Sequence, residues 1–182
     1  TTPIELIEKA IGLIKNSKRP IFLIGGGIIN SGAESKLAKI IEATKIPFIT
    51  SLMGKSGVSE ELDGYVGMLG SYGNRMANII THQADLVIVL GSRLDTRQTG
   101  AKYKSFLKEG RIIHVDIDSG ELEDHRITEN RLKILINVKD FIDVIYDTVI
   151  NYRTSQRWVK YYTKVKESYN QSIEIKRFVE NK

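Results

Sequence analysis

The chain reads as an α/β domain, a doubly wound, mostly parallel sheet with helices on both faces. Three observations predict this. Short runs of hydrophobes, IFLI (21–24), LVIVL (86–90) and RIIHVD (111–116), alternate with stretches of helical spacing. The runs are apolar at successive positions rather than every second one, which suits strands covered on both faces. Glycine-rich or polar loops follow the strands directly, and ligands bind at such places in open sheets of this kind.

Each element can be justified in turn. Thr2-Pro3-Ile4-Glu5 is a capping box with proline at the first helical position. Ile4, Leu6, Ile7, Ala10, Ile11 and Ile14 then form a helical stripe, which Arg19-Pro20 ends. IFLI is the first strand and stops at three glycines. Ser35 to Thr44 reads as a helix, with Leu37, Ala38, Ile40 and Ile41 on one side, and 47–50 (PFIT) as a second strand. The glycine-rich passage from Ser51 to Gly73 reads as a loop, and Arg75 to His82 as a helix. LVIVL, RIIHVD and LKILIN (132–137) are the remaining strands, and a helix from Asp140 to Tyr152 closes a domain spanning 1–152. Residues 153–182 contain no glycine or proline and hold the only tryptophan. Val159, Tyr162, Lys166 and Tyr169 recur there at spacings of three or four, as in an amphipathic helix that needs a partner surface. That segment is expected to be a helical linker toward a neighbouring domain.

Composition excludes several functions. With 182 residues, 41% hydrophobic and 27% charged, the chain can bury a core. No apolar run is long enough for a membrane helix, and the start lacks the pattern of a secretory signal. The absence of cysteine removes disulfides, cysteine–zinc sites and thiol chemistry, and fits the cytoplasm. It also argues against a free-standing sirtuin-like deacylase, which needs a cysteine zinc site. The net charge of +5 sits wholly in residues 151–182, which carry 8 Lys/Arg and 3 Asp/Glu. The rest is balanced, with 19 of each sign, so no basic groove for nucleic acid is expected.

The chemistry lies in the loops after the strands. Gly25-Gly26-Gly27-Ile28-Ile29-Asn30-Ser31-Gly32 resembles a dinucleotide turn but has Asn30 where the pattern needs glycine. Thr50 and Ser51 stand where a ribose-binding acid would follow the second strand. The glycines either make a tight turn or admit a ligand to the backbone and to free N–H groups of the next helix. GSRLDTRQTG (91–100) is richer. Arg93 and Arg97 offer planar forks for phosphate, Asp95 can hold one of them, and Ser92, Thr96 and Thr99 add donors. Two forks and one carboxylate leave a positive charge for a diphosphate. Asp116 and Asp118, at i and i+2 after the fourth strand, could take ribose hydroxyls. Alternatively, Asp118 caps a helix that starts near Ser119. His82, His114 and His125 have no local nucleophile partner, so no catalytic set assembles, and His114 reads as structural.

The order of these blocks resembles the central domain of thiamine-diphosphate-dependent enzymes, most closely of the acetolactate synthase large-subunit type. RPIFLIGGGI is similar to that family's opening strand and turn, and GYVGMLGSYG to its "G-M-L-G-x-x-G" stretch. The A-D-L start and the "G-x-R-x-D-x-R-x-T-G" end of ADLVIVLGSRLDTRQTG resemble that family's signature, and GRIIHVDID resembles "I-x-H-x-D-I-D". The match covers about residues 18–150. The resemblance implies a six-stranded parallel sheet of the FAD/NAD-binding-like kind, holding FAD, ADP or nothing. By matching position, it implies cofactor contacts at Gly25, Gly26, Gly27, Ser51, Leu52, Leu69, Gly70, Ser71 and Tyr72. It also implies contacts at Gly91, Ser92, Arg93, Asp95, Arg97, Gln98, Asp116 and Ile117. The chain departs from the synthases at Ser71-Tyr72, where they usually have Met-His, and at Ile136-Asn137, where they usually have Gly-Asp.

Further implications concern the whole enzyme. Thiamine diphosphate and Mg2+ would bind in flanking pyrimidine- and diphosphate-binding domains, within a homodimer or homotetramer. The activity would be decarboxylation and carboligation of a 2-keto acid such as pyruvate, by default in branched-chain amino acid biosynthesis, and this segment alone would be inactive. The alternatives are the middle domain of another thiamine-diphosphate decarboxylase or lyase, or a free-standing nucleotide-binding module.

Overall fold

A computed structural model of the chain describes residues 2–107, 109–169 and 171–180. The element order is α1 (Pro3–Asn16), β1 (Pro20–Ile24), α2 (Gly26–Ser31), α3 (Glu34–Thr44), β2 (Phe48–Thr50), β3 (Tyr65–Met68), α4 (Arg75–Gln83) and β4 (Leu86–Leu90). There follow α5 (Thr96–Thr99), a 3-10 turn (Tyr103–Ser105), β5 (Arg111–Asp116), α6 (Ser119–Glu123), β6 (Arg131–Leu135), α7 (Val138–Val149), α8 (Gln156–Ser168) and α9 (Gln171–Glu180).

All six strands pair in parallel, in the order β3-β2-β1-β4-β5-β6. The order reverses between β1 and β4, and the two chain directions leave a crevice at their carboxyl ends. Successive side chains of a strand point to opposite faces, so the apolar runs divide into two cores. Phe22, Ile24, Phe48, Ile88, Leu90, Ile113 and Val115 meet the helices α1, α3 and α7 on one face. Ile21, Leu23, Ile49, Val66, Val87, Val89 and Ile112 form the other core with residues of α4 and α8. Doubly apolar strands are the only ones that can satisfy both layers.

The expected capping box forms: Glu5 N donates to Thr2 Oγ1 at 3.3 Å, and Thr2 N donates to Glu5 Oε2 at 2.9 Å. The helix stops at Asn16, before Arg19-Pro20. The next turn is held by Asp85, whose carboxylate accepts from Lys18 N and Arg19 N, both at 2.9 Å.

Two expectations need correction. The passage from Ser51 to Gly73 is not all loop, because Tyr65–Met68 forms the outer strand β3. Its signal is weak for physical reasons: it is four residues long, and Gly67 has φ +102°. The register slips between Phe48↔Tyr65 and Thr50↔Met68, placing Val66 and Gly67 opposite the single Ile49 as a bulge does. The tail also has a partner surface within the chain itself. Trp158, Tyr162 and Val165 of α8 are buried in the second core. The Trp158 indole stacks on Tyr161 with centroids 5.4 Å apart, and Tyr162 meets it edge-on at 6.4 Å. Tyr162 Oη donates to Lys45 O at 3.3 Å, and its burial pushes the phenol pKa up to about 12. No helix among the described residues is long and apolar enough to cross a membrane.

Candidate functional site

The loops after β1, β4 and β5 and the start of α7 converge on a crevice of about 400 Å³. Among its lining are Gly27, Gly91, Arg93, Asp116, Ile117 and Glu121. A second crevice, about 290 Å³, is lined by Leu69, Gly70, Ser71, Gln98, Thr99 and their neighbours. The Gly91–Gly100 loop contributes to both and forms a wall of each.

The glycines serve the packing of that wall. A Cβ on Gly25 would stand 2.0 Å from Gly91 O, and one on Gly27 2.7 Å from Gly91 Cα. Gly25 N donates to Leu90 O at 2.9 Å, and Gly27 N to Gly91 O at 3.0 Å. The sequence-based expectation of N–H groups left free for an anion is therefore corrected: β4 and its loop take two of them. Gly26 is less crowded but still tight: a Cβ there would stand 3.3 Å from Met53 Cβ. Similarly, a Cβ at Gly70, where φ is +108°, would collide with Arg97 O at 2.2 Å. Ser71 N donates to that same carbonyl at 2.8 Å.

Within GSRLDTRQTG, Asp95 holds neither arginine. It is the N-cap of α5 and accepts from Arg97 N at 2.9 Å and Gln98 N at 3.2 Å. Arg93 instead pairs with Glu121, Nε to Oε1 at 3.0 Å, with its side chain 73% exposed. Arg97 is exposed and has no ion pair among the described residues. Ser92 Oγ donates to Gln98 Oε1 at 2.9 Å and so closes the loop internally. The expected surplus of positive charge does not reach the first crevice. Arg93 is outnumbered there by Asp116, Asp118 and Glu121. Such a lining accepts hydrogen bonds from hydroxyl and amine groups more readily than it binds an anion.

Asp118 caps α6 through Gly120 N at 2.8 Å, as one of the two sequence readings had it. Asp116 lines the crevice; its Oδ1 accepts from Asp118 N at 3.0 Å, and its Oδ2 has no partner among the described residues. Ser51 is buried, and its hydroxyl accepts from Gly54 N at 3.1 Å. Leu52, Met53, Tyr72 and Ile117 project from the same edge of the sheet, each more than half exposed.

Sequence reasoning missed the layer beneath the loop. His114 is fully buried on the second face. Its Nε2 lies 2.8 Å from Ser92 O, a group that only accepts, so Nε2 carries the proton. Nδ1 is then the acceptor for Arg131 Nη1 at 3.1 Å. Burial, with the Arg131 and His125 charges adding to it, pushes the His114 pKa down to about 4, and the ring is neutral. His125 packs edge-on against it, centroids 5.5 Å apart. No local motif announces this cluster, because its members are far apart in the chain. No group of three or more His, Asp or Glu among the described residues could hold a metal.

A parallel α/β sheet with the 3-2-1-4-5-6 order and a polar crevice at its switch point defines a dinucleotide-binding-like domain. The thiamine pyrophosphate enzyme central-domain family matches residues 7–145, and the chain belongs to that family. It is 35% identical over 176 residues, 93% of its length, to the acetolactate synthase large subunit of Cyanidium caldarium. It is 45% identical over 116 residues, 64% of its length, to a probable acetolactate synthase large subunit of Methanococcus aeolicus. To the chloroplastic acetolactate synthase 1 of Zea mays it is 40% identical over 118 residues, 65% of its length. The chain spans only 30%, 19% and 18% of the lengths of these relatives.

Proposed function

We propose that this domain holds the ADP portion of a nucleotide, as ADP or as part of FAD, along the carboxyl edge of its sheet. The observation that carries the reading is the open Asp116 carboxylate in a crevice walled by Gly27 and Gly91. A carboxylate at the end of a strand suits ribose hydroxyls, and the backbone at glycine admits a ligand closely. Of the proposed contacts, Gly27, Gly91, Arg93, Asp116 and Ile117 gather at the first crevice and Leu69, Gly70, Ser71 and Gln98 at the second. The two crevices together offer the length for an extended ligand, with the ribose rather than the phosphates against the acids of the first. Arg97, Leu52 and Tyr72 line neither crevice, and in this reading they would meet only the more distal parts of a ligand.

The whole protein is proposed to be a thiamine-diphosphate enzyme of 2-keto acids, most like acetolactate synthase, which decarboxylates pyruvate and joins its fragment to a second keto acid. Thiamine diphosphate and Mg2+ would bind in flanking pyrimidine- and diphosphate-binding domains of the same chain, in a cytoplasmic homodimer or homotetramer. The segment after α8 would lead toward one of those domains. This domain would supply no catalytic group.

A second reading has an empty groove and a purely bridging role. The Arg93–Glu121 pair and the glycine contacts favour it, since they close the edge on itself. Calorimetric titration with ADP and with FAD separates the two. Micromolar binding that weakens when Arg93 and Arg97 are both replaced by alanine supports the nucleotide reading. Heat of dilution alone with either ligand supports the empty one.

A further inference from the structure

The connection between α6 and β6 reaches back to both ends of the Gly91–Gly100 loop. At its near end, His125 Nδ1 accepts from Ile127 N at 3.0 Å, so its Nε2 carries the proton. That N–H is shared between Arg93 O at 3.2 Å and Leu94 O at 3.1 Å. At the far end, Arg126 Nη2 donates to Thr99 Oγ1 at 2.6 Å and to Gly100 O. The Arg126 guanidinium also sits 4.9 Å from the centre of the Tyr103 ring. Two consecutive side chains thus bracket a loop some thirty residues earlier.

Between these points the backbone is strained. Leu94 adopts φ +51°, a left-handed conformation that a branched, bulky residue avoids. Such strain persists only where the surroundings over-determine it, and it concentrates where a site must be shaped in advance. Here Leu94 is buried in the second core, and its carbonyl is held by His125. The turn puts Arg93 on the crevice side and Leu94 on the core side, and lets Asp95 cap α5. Beneath it, His114 anchors Ser92 O, and Arg131 holds His114 while donating to Leu122 O at 2.6 Å.

We infer that His125 and Arg126, backed by His114 and Arg131, are positioning residues that hold the Gly91–Gly100 loop in its ligand-accepting conformation. The inference rests on the nucleotide reading above for the identity of the ligand. Each ring accepts at Nδ1 and donates from Nε2.

The test combines amide hydrogen exchange over residues 95–100, referred to the β4 amides that report global opening, with ADP titration. His125→Ala and Arg126→Ala are each expected to accelerate exchange in the loop and raise the Kd for ADP about tenfold, the worth of one lost hydrogen bond. His125→Gln keeps an N–H donor near Leu94 O and should recover most of both effects. Unchanged exchange in both alanine variants overturns the inference. So does faster exchange with an unaltered Kd. If the wild type fails to bind ADP, the nucleotide reading fails, and the exchange measurements and the glutamine recovery decide the clamp by themselves.

Discussion

The Trp158 indole N–H donates to the Pro20 carbonyl at 2.9 Å, tying the thirteen-residue helix α8 to the first residue of the central strand β1. Tyr152 and Ser155 reach the same corner, donating to Ser17 O at 2.9 Å and Lys18 O at 3.1 Å. The tail helix therefore closes the second face of the sheet. Trp158→Ala should cost about 3–5 kcal/mol, the usual range for a large buried aromatic. Trp158→Phe keeps much of the packing but leaves Pro20 O unpaired, and should cost about 1–3 kcal/mol. Urea unfolding measures both; a loss under about 0.5 kcal/mol for the alanine variant would mean that α8 does not cover the sheet.

Gly25 meets Gly91 backbone to backbone. A methyl group there has no flexible side chain to push aside, since the nearest atoms are Gly91 O, Gly91 C and Ser92 Cα. Gly25→Ala should destabilise the domain by about 2 kcal/mol or more, because strands β1 and β4 would have to part. Gly12→Ala, with nothing within 4 Å of the added carbon and a helical backbone, should stabilise by a few tenths to about 1 kcal/mol. Equal melting temperatures for the two variants would contradict this assignment of the glycine turn.

The neutral His114 gives stability a pH dependence of definite sign. Its pKa falls from 6.5 in the unfolded chain to about 4 in the fold, so the unfolded state binds more protons between those values. Its contribution is complete above pH 6.5 and is lost as the pH falls toward 4. The full loss is on the order of 3 kcal/mol. His114→Gln should flatten the wild-type curve over that window, though it lowers stability at pH 7. Denaturant unfolding at pH 7, 5.5 and 4.5 tests it, and parallel curves would refute the neutral assignment.

Asp116 and Arg93 should behave differently. The Arg93–Glu121 pair is exposed, so Arg93→Ala should alter stability by no more than about 1 kcal/mol. Asp116→Ala should weaken ADP binding about tenfold, the loss of one hydrogen bond to a charged acceptor. Comparing the Kd values of the two variants with that of Asp118→Ala separates contact from scaffolding. The last should lower stability by about 1 kcal/mol through its helix cap.

Local patterns made most of the fold legible. Thr2 and Glu5 announced their capping box, and the runs at 21–24, 86–90 and 111–116 lie in β1, β4 and β5. The second-strand reading holds at Phe48–Thr50. The strand Tyr65–Met68 was hidden because a bulged glycine breaks the alternation that marks strands. The candidate loops were legible as well, since polar residues directly after apolar strands stand out. What Asp95, Arg93 and Arg97 do there was not, because each has partners to choose among and spacing does not select one.

The sequence by itself determined the α/β class, the parallel sheet and the edge where a ligand would lie, because periodicity and punctuation act over a few residues. Only the tertiary structure decided that the glycines pack against the β4 loop, that Arg93 pairs with Glu121, and that His125-Arg126 brackets a loop thirty residues upstream. Such relationships arise when crossovers bring distant segments to one strand end. The chain order does not encode which carbonyl a side chain will meet there; the register of β4 against β5, and of β5 against β6, does.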